Sequence, residues 1–256
     1  MYRPLVTLVL TAGMLFSATP TGFLDRTIAA GNQIFRYQVY VPFGWNKRVR
    51  WPIVLFLHGS GERGDDGLKH TQVGIGAAVR MHADRYPAVI VFPQCRPDKT
   101  WWDADMQDIA LKALDRATRE FNGDPERTYL TGLSMGGYGT WSIAYRHPGR
   151  FAALAPICGG VVPPNRPVPP ESPWAREPDP YSFVARHVAR LPIWIFHGDA
   201  DNRVPVTESR KLTDALKAAG AKVTYTEYPG VQHNSWDRAY AEPEFPKWLL
   251  SQRRAR

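Results

Sequence analysis

The sequence predicts an α/β fold with a mostly parallel central sheet flanked by helices. Short apolar runs without polar alternation recur along it, as strands covered on both faces require. Segments of helical spacing lie between those runs, the order that produces a parallel sheet. Most runs also stop at Gly or Pro, where a strand gives way to a loop.

Taken in order, residues 33–41 are β-rich and end at Pro42. Trp51-Pro52 opens the run 53–57, which stops at His58-Gly59. Further runs cover 88–92, 128–131, 151–157, 193–196 and 223–228, ending at Pro93, Gly132, Gly159-Gly160, His197-Gly198 and Pro229-Gly230. Between them, Ile109, Leu111, Leu114, Ala117 and Phe121 mark the apolar side of a helix over 108–121, stopped by Asn122-Gly123. A similar helix covers 207–219 and ends at Gly220. The stretch 161–180 carries eight prolines, which fix φ and remove backbone donors, so it forms neither a central strand nor a regular helix. It reads as a surface excursion or as a cap over the strand ends.

Bulk properties bound the possibilities. A 256-residue chain, 44% hydrophobic and 22% charged, suits one globular domain rather than a disordered polymer. That domain is expected over 21–256. Residues 1–20 read as a signal peptide or a mis-assigned leader: Arg3 precedes an apolar run, Leu5 to Phe16, too short to span a membrane. Ser17-Ala18-Thr19-Pro20 is a poor cleavage site and Met14 is an alternative start, yet export is favoured over the cytoplasm. The net charge of +8 is scattered, and its densest run, Arg253-Arg254-Ala255-Arg256, reads as a solvated tail. No nucleic-acid motif accompanies the charge, and no stable membrane insertion is expected. The two cysteines, Cys95 and Cys158, are expected at strand ends that the usual strand order of such a fold separates by two others. That is a gap of about 14 Å, so both are expected as free thiols near the pocket floor.

The segment Gly132-Leu133-Ser134-Met135-Gly136-Gly137 carries the chemistry. It follows a strand and precedes a helix expected over 138–147, the context of a nucleophile elbow. A serine there sits on a sharp turn with its Oγ above the sheet, while the helix N-terminus aims N–H groups at the reacting centre. Ser134 is therefore the candidate nucleophile and the Met135 N–H a candidate oxyanion donor. A serine hydroxyl needs a base, and the base needs an orienting acid. His233, in the loop after the last strand, is the candidate base. His58 and His197 lie at strand ends where packing or loop hydrogen bonding accounts for them. Spacing leaves the acid open between Asp199 and Asp201. Asp201 is preferred, with Asp199 read as a turn residue bonding its own loop. The second oxyanion donor is expected from the glycine-rich loop 58–64, at the Ser60 N–H with Gly59 the near alternative.

With these motifs assembled, the chain resembles α/β-hydrolase superfamily esterases: the single-domain enzymes related to prolyl oligopeptidase and dienelactone hydrolase, the phospholipase/carboxylesterase-like group. The resemblance runs from about Gly22 to Leu250. It rests on residues 57–64, Pro93-Gln94-Cys95-Arg96, the elbow, Pro156-Ile157-Cys158-Gly159-Gly160, residues 197–205 and His233-Asn234-Ser235-Trp236. It implies an α/β-hydrolase fold, a serine esterase activity on a small-molecule ester and, because Val204-Pro205 follows closely, Asp201 as the acid. No propeller-sized segment of the prolyl oligopeptidase kind is present, which weighs against a peptidase. Trp102 and Trp236 are candidate substrate-binding walls for aromatic or carbohydrate-linked groups. No metal and no organic cofactor is expected. The rival readings are a serine peptidase or amidase with the same residues, and a non-catalytic binding relative.

Overall fold

The computed structural model describes residues 20–164 and 167–254. The leader expectation falls on residues outside that range, as do Ala255 and Arg256 of the tail.

Eight strands form one sheet: β1 (Gly22–Ala30), β2 (Gln33–Val41), β3 (Trp51–Leu57), β4 (Val89–Pro93), β5 (Gly123–Leu133), β6 (Ala153–Ile157), β7 (Ile193–Gly198) and β8 (Val223–Tyr228). Their order is β1-β2-β4-β3-β5-β6-β7-β8. β1 and β2 run antiparallel, and every pairing from β4 to β8 is parallel. The unbroken apolar runs have the expected cause. In β3, Ile53, Leu55 and Leu57 face one core layer while Val54 and Phe56 face the other. Each such fully buried side chain contributes about 1.5–3 kcal/mol.

Four helices cover the first face: α2 (Ala104–Glu120), α3 (Met135–Arg146), α4 (Pro180–Val188) and α5 (Thr207–Ala218). The opposite face takes α1 (Ile75–Met81), α6 (Trp236–Ala241) and α7 (Glu244–Ser251). α2 begins four residues earlier than its periodicity suggests, and Met106 extends its buried side. α3 begins at Met135, not at 138, because its glycines are points of close packing rather than breaks. A Cβ on Gly136 would lie 1.9 Å from the Leu57 carbonyl oxygen. β1 was not foreseen. It is an edge strand, largely half-exposed, paired through a tight turn at Gly31.

Among its described residues the proline-rich stretch contains neither strand nor α-helix until Pro180 opens α4, where Asp179 accepts the Ser182 N–H at 3.1 Å. It is tied to the helices beneath it. Trp174 is buried against Tyr145 of α3 and donates its indole N–H to the Val161 oxygen at 2.8 Å. Glu208, in the first turn of α5, accepts the N–H groups of Val161 and Val162 at 3.1 and 3.0 Å and is bonded by the Tyr181 hydroxyl.

Of the C-terminal run, Arg253 and Arg254 are exposed, as a solvated tail requires, and Arg254 also donates its backbone N–H to Glu126 and its guanidinium to Gly149, both at 2.8 Å. Cys95 and Cys158 are free and buried, at the ends of β4 and β6 with β3 and β5 between them. No helix among the described residues is long and apolar enough to cross a membrane.

Candidate active site

Ser134 stands between β5 and α3 with φ 52° and ψ −117°. This left-handed conformation is costly for a residue with a Cβ and is held by its surroundings. The Ser134 N–H is donated to Ile157 at 2.9 Å, and its carbonyl accepts from Tyr138 at 3.1 Å. A Cβ on Gly132 would lie 2.4 Å from the Gly136 oxygen, so a side chain there would push the turn apart.

The loops after β7 and β8 are zipped together. Asp199 N–H donates to the Tyr228 oxygen and Ala200 N–H to the Val231 oxygen, both at 3.1 Å. Asp199 Oδ1 accepts the Gly230 N–H at 2.6 Å. Asp199 therefore fastens the loop that carries His233, not its own loop as the sequence suggested.

That zipper brings the three side chains together. Ser134 Oγ lies 2.9 Å from His233 Nε2, and His233 Nδ1 lies 2.7 Å from Asp201 Oδ2. The Asp201 side chain has no exposed surface, whereas that of His233 is 21% exposed. Burial alone would raise the Asp201 carboxyl. Hydrogen bonds from His197, His233 and the N–H groups of Val204 and Arg203 override it and hold the group below the ordinary carboxylate range. Its Oδ1 accepts Arg203 N–H at 2.8 Å and Val204 N–H at 2.9 Å.

Around this chain of bonds, Met135 is the first residue of α3, where an N–H has no acceptor within the helix. The loop 59–60 overhangs the serine: a Cβ on Gly59 would be 3.7 Å from Ser134 Cβ. Burial pushes the Glu62 carboxyl up. Ser60 follows in an exposed turn. His58 braces the loop from below, accepting Cys95 N–H at 2.9 Å on Nε2 and donating Nδ1–H to Gly59 at 2.6 Å.

The two tryptophans stand differently. Trp236 is half-buried and meets the His233 ring edge-on, with centroids 5.3 Å apart. Trp102 is only 1% exposed and packs against Tyr138 and Val204. The donor atoms of Cys158, Asp201 and His233 lie within 4.8 Å of one another, though the last two already bond each other. Burial, with the Asp201 charge behind it, keeps the Cys158 thiol well above its ordinary range and hence protonated.

His197, which the sequence assigns to packing or loop hydrogen bonding, makes such loop bonds, and one of them is to Asp201. His197, wholly buried at the end of β7, places Nε2 3.2 Å from Asp201 Oδ2 and 3.1 Å from the Val204 oxygen. Its Nδ1 meets Ser209 Oγ of α5 at 2.7 Å. The cue was its place four residues before Asp201, at a strand end.

Fold and site together define an α/β-hydrolase. The Esterase family model matches residues 29–242, and the chain belongs to that family. It is similar to a thermostable esterase of known structure, 33% identical with a TM-score of 0.75, covering 91% of this chain and 63% of that one. A ferulic acid esterase shares the fold at 19% identity and TM-score 0.68, covering 89% of this chain and 97% of its own. Curated relatives include an uncharacterized secreted protein of Arthroderma benhamiae, 27% identical over 73% of this chain and 22% of its own. Another is a bifunctional acetylxylan esterase/xylanase of Neocallimastix patriciarum, 30% identical over 56% of this chain and 21% of its own. The chain thus spans about a fifth of the length of these curated relatives.

Proposed function

We propose that the chain hydrolyses carboxylic esters through a two-step serine acyl-enzyme route. The observation that carries this reading is the continuous run from Ser134 Oγ through both nitrogens of His233 to the buried Asp201 carboxylate. His233 takes the Ser134 proton as Oγ attacks the ester carbonyl, and Asp201 holds the tautomer that leaves Nε2 free to accept it. The N–H groups of Ser60 and Met135 donate to the oxyanion, each contributing on the order of 3 kcal/mol to the barrier reduction. The proton then passes to the departing alcohol. Water, deprotonated by the same imidazole, releases the acid and restores Ser134.

The substrate is a small ester, aromatic or carbohydrate-linked. Trp236 flanks the acyl site directly, while Trp102 acts by backing Tyr138. The activities in the names of the acetylxylan and ferulic acid esterases make acetylated and feruloylated carbohydrates the first natural esters to try. The secreted relative supports the reading of residues 1–20 as an export leader.

The test is labelling with a fluorophosphonate, run beside hydrolysis of p-nitrophenyl esters from acetate to octanoate and of matched anilides. Labelling at Ser134 with ester turnover well above amide turnover is expected. A folded sample that neither labels nor turns over would overturn the reading, and faster amide cleavage would make the chain an amidase.

A further inference from the structure

Asp201 Oδ2 accepts from two imidazoles, and the acyl-enzyme route uses only one of them. We infer that His197, held by Ser209, is a positioning residue that fixes the Asp201 carboxylate and thereby tunes the basicity of His233; this rests on the esterase reading above.

His197 Nε2 faces two oxygens that can only accept, Asp201 Oδ2 at 3.2 Å and the Val204 carbonyl at 3.1 Å. A lone pair there would face two others, so Nε2 carries the hydrogen. On the far side, Nδ1 meets the Ser209 hydroxyl at 2.7 Å. Ser209 is itself buried near the N-terminal end of α5. In the neutral ring Nδ1 accepts from that hydroxyl, which locks the Nε2–H tautomer. Neither His197 nor Ser209 is open enough to meet a substrate, at 0% and 1% exposure, so the pair acts only through Asp201.

The consequence is electrostatic as well as geometric. A donor on Oδ2 draws off part of the charge that would otherwise stabilise protonated His233. It also pins the oxygen that His233 Nδ1–H must find. The other titratable and charged groups nearby are fixed. Cys158, at the end of β6, stays protonated. Glu227 of β8 is ion-paired with Arg210 of α5 at 2.6 Å. Asp199 is bonded to Gly230, and Arg203 gives its backbone N–H to Oδ1.

The experiment compares His197→Phe, His197→Gln and His197→Asn in the full chain, reading the pH profile of kcat/KM on a p-nitrophenyl ester. The downfield proton resonance of the His233 Nδ1–H is read alongside. Phe removes the donor, and the acidic limb is expected to move up by about half a pH unit, with the resonance displaced. Gln places an amide N–H where Nε2 stands and restores both. Asn places it near Nδ1 and does not. An unmoved limb and resonance in His197→Phe, with only kcat or Tm lowered, would make His197 a packing residue. Should that variant fail to fold, the Gln and Asn pair decides: identical profiles and resonances overturn the proposal. Failure of the esterase reading is separable, since it would appear as an inactive wild type, whereas the resonance reports on the pair without turnover.

Discussion

On one side of Asp201, Ser134 and His233 stand on a strained elbow and a loop, partly open to solvent. On the other, Ser209 and His197 stand on a helix and a strand end, sealed from it. The residue types match, and both imidazoles reach the same carboxylate oxygen. What separates the two pairs is which ring nitrogen faces the acid. In the open pair Nδ1 faces Asp201, leaving Nε2 to take a proton from Ser134. In the sealed pair Nε2 faces Asp201, and Nδ1 meets a hydroxyl that no substrate reaches. The proposed difference in reactivity thus rests on exposure and tautomer, not on composition.

The largest test of this contrast substitutes each serine. Ser134→Ala should lower kcat by about 10⁴-fold or more while leaving the thermal transition in place. Ser209→Ala should cost less than about tenfold. A comparable loss in both would erase the distinction.

Next come the two aspartates of the acid loop. Asp201→Asn removes the charge both imidazoles share and is expected to reduce kcat by about 10⁴-fold. Asp199→Asn loosens the Gly230 contact and should act mainly through Tm, with a kcat loss nearer tenfold. If Asp199→Asn proves the more damaging to kcat, the assignment of Asp201 as the acid fails.

The smallest effect concerns stability and acid. Burial drives His58 down to about 3 and His70 to about 4. The unfolded chain therefore takes up protons near pH 6.5 that the folded chain refuses. Stability is fully present above that pH and declines as pH falls toward 4, by on the order of 3 kcal/mol per imidazole. Scanning Tm from pH 7.5 to 4 should show the decline, and His70→Gln should flatten it. An equal slope in wild type and variant would place the acid sensitivity elsewhere.

The parallel sheet and the strand-to-helix turn at Ser134 were legible because each depends on local patterns. Apolar runs of strand length mark two-sided burial, and glycines flank a turn that has no room for side chains. The edge strand β1 was illegible because its residues are largely half-exposed and form no unbroken apolar run. The helix start at Met135 was hidden because Gly136 and Gly137 resemble breakers in sequence, yet they serve close packing against Leu57 and Gly159.

Sequence alone, then, determined the strand-to-helix turn at Ser134 and supplied the carboxylate and imidazole that the fold brings to it, since residue type and local spacing are properties of the chain. Tertiary structure decided what no spacing could. Asp199 reaches the neighbouring loop, Trp102 packs against Tyr138 and Val204, and Arg254 bonds Glu126 of β5. Each is a contact between segments whose separation along the chain carries no information about their distance in space, which is set only when the sheet and its helices pack together.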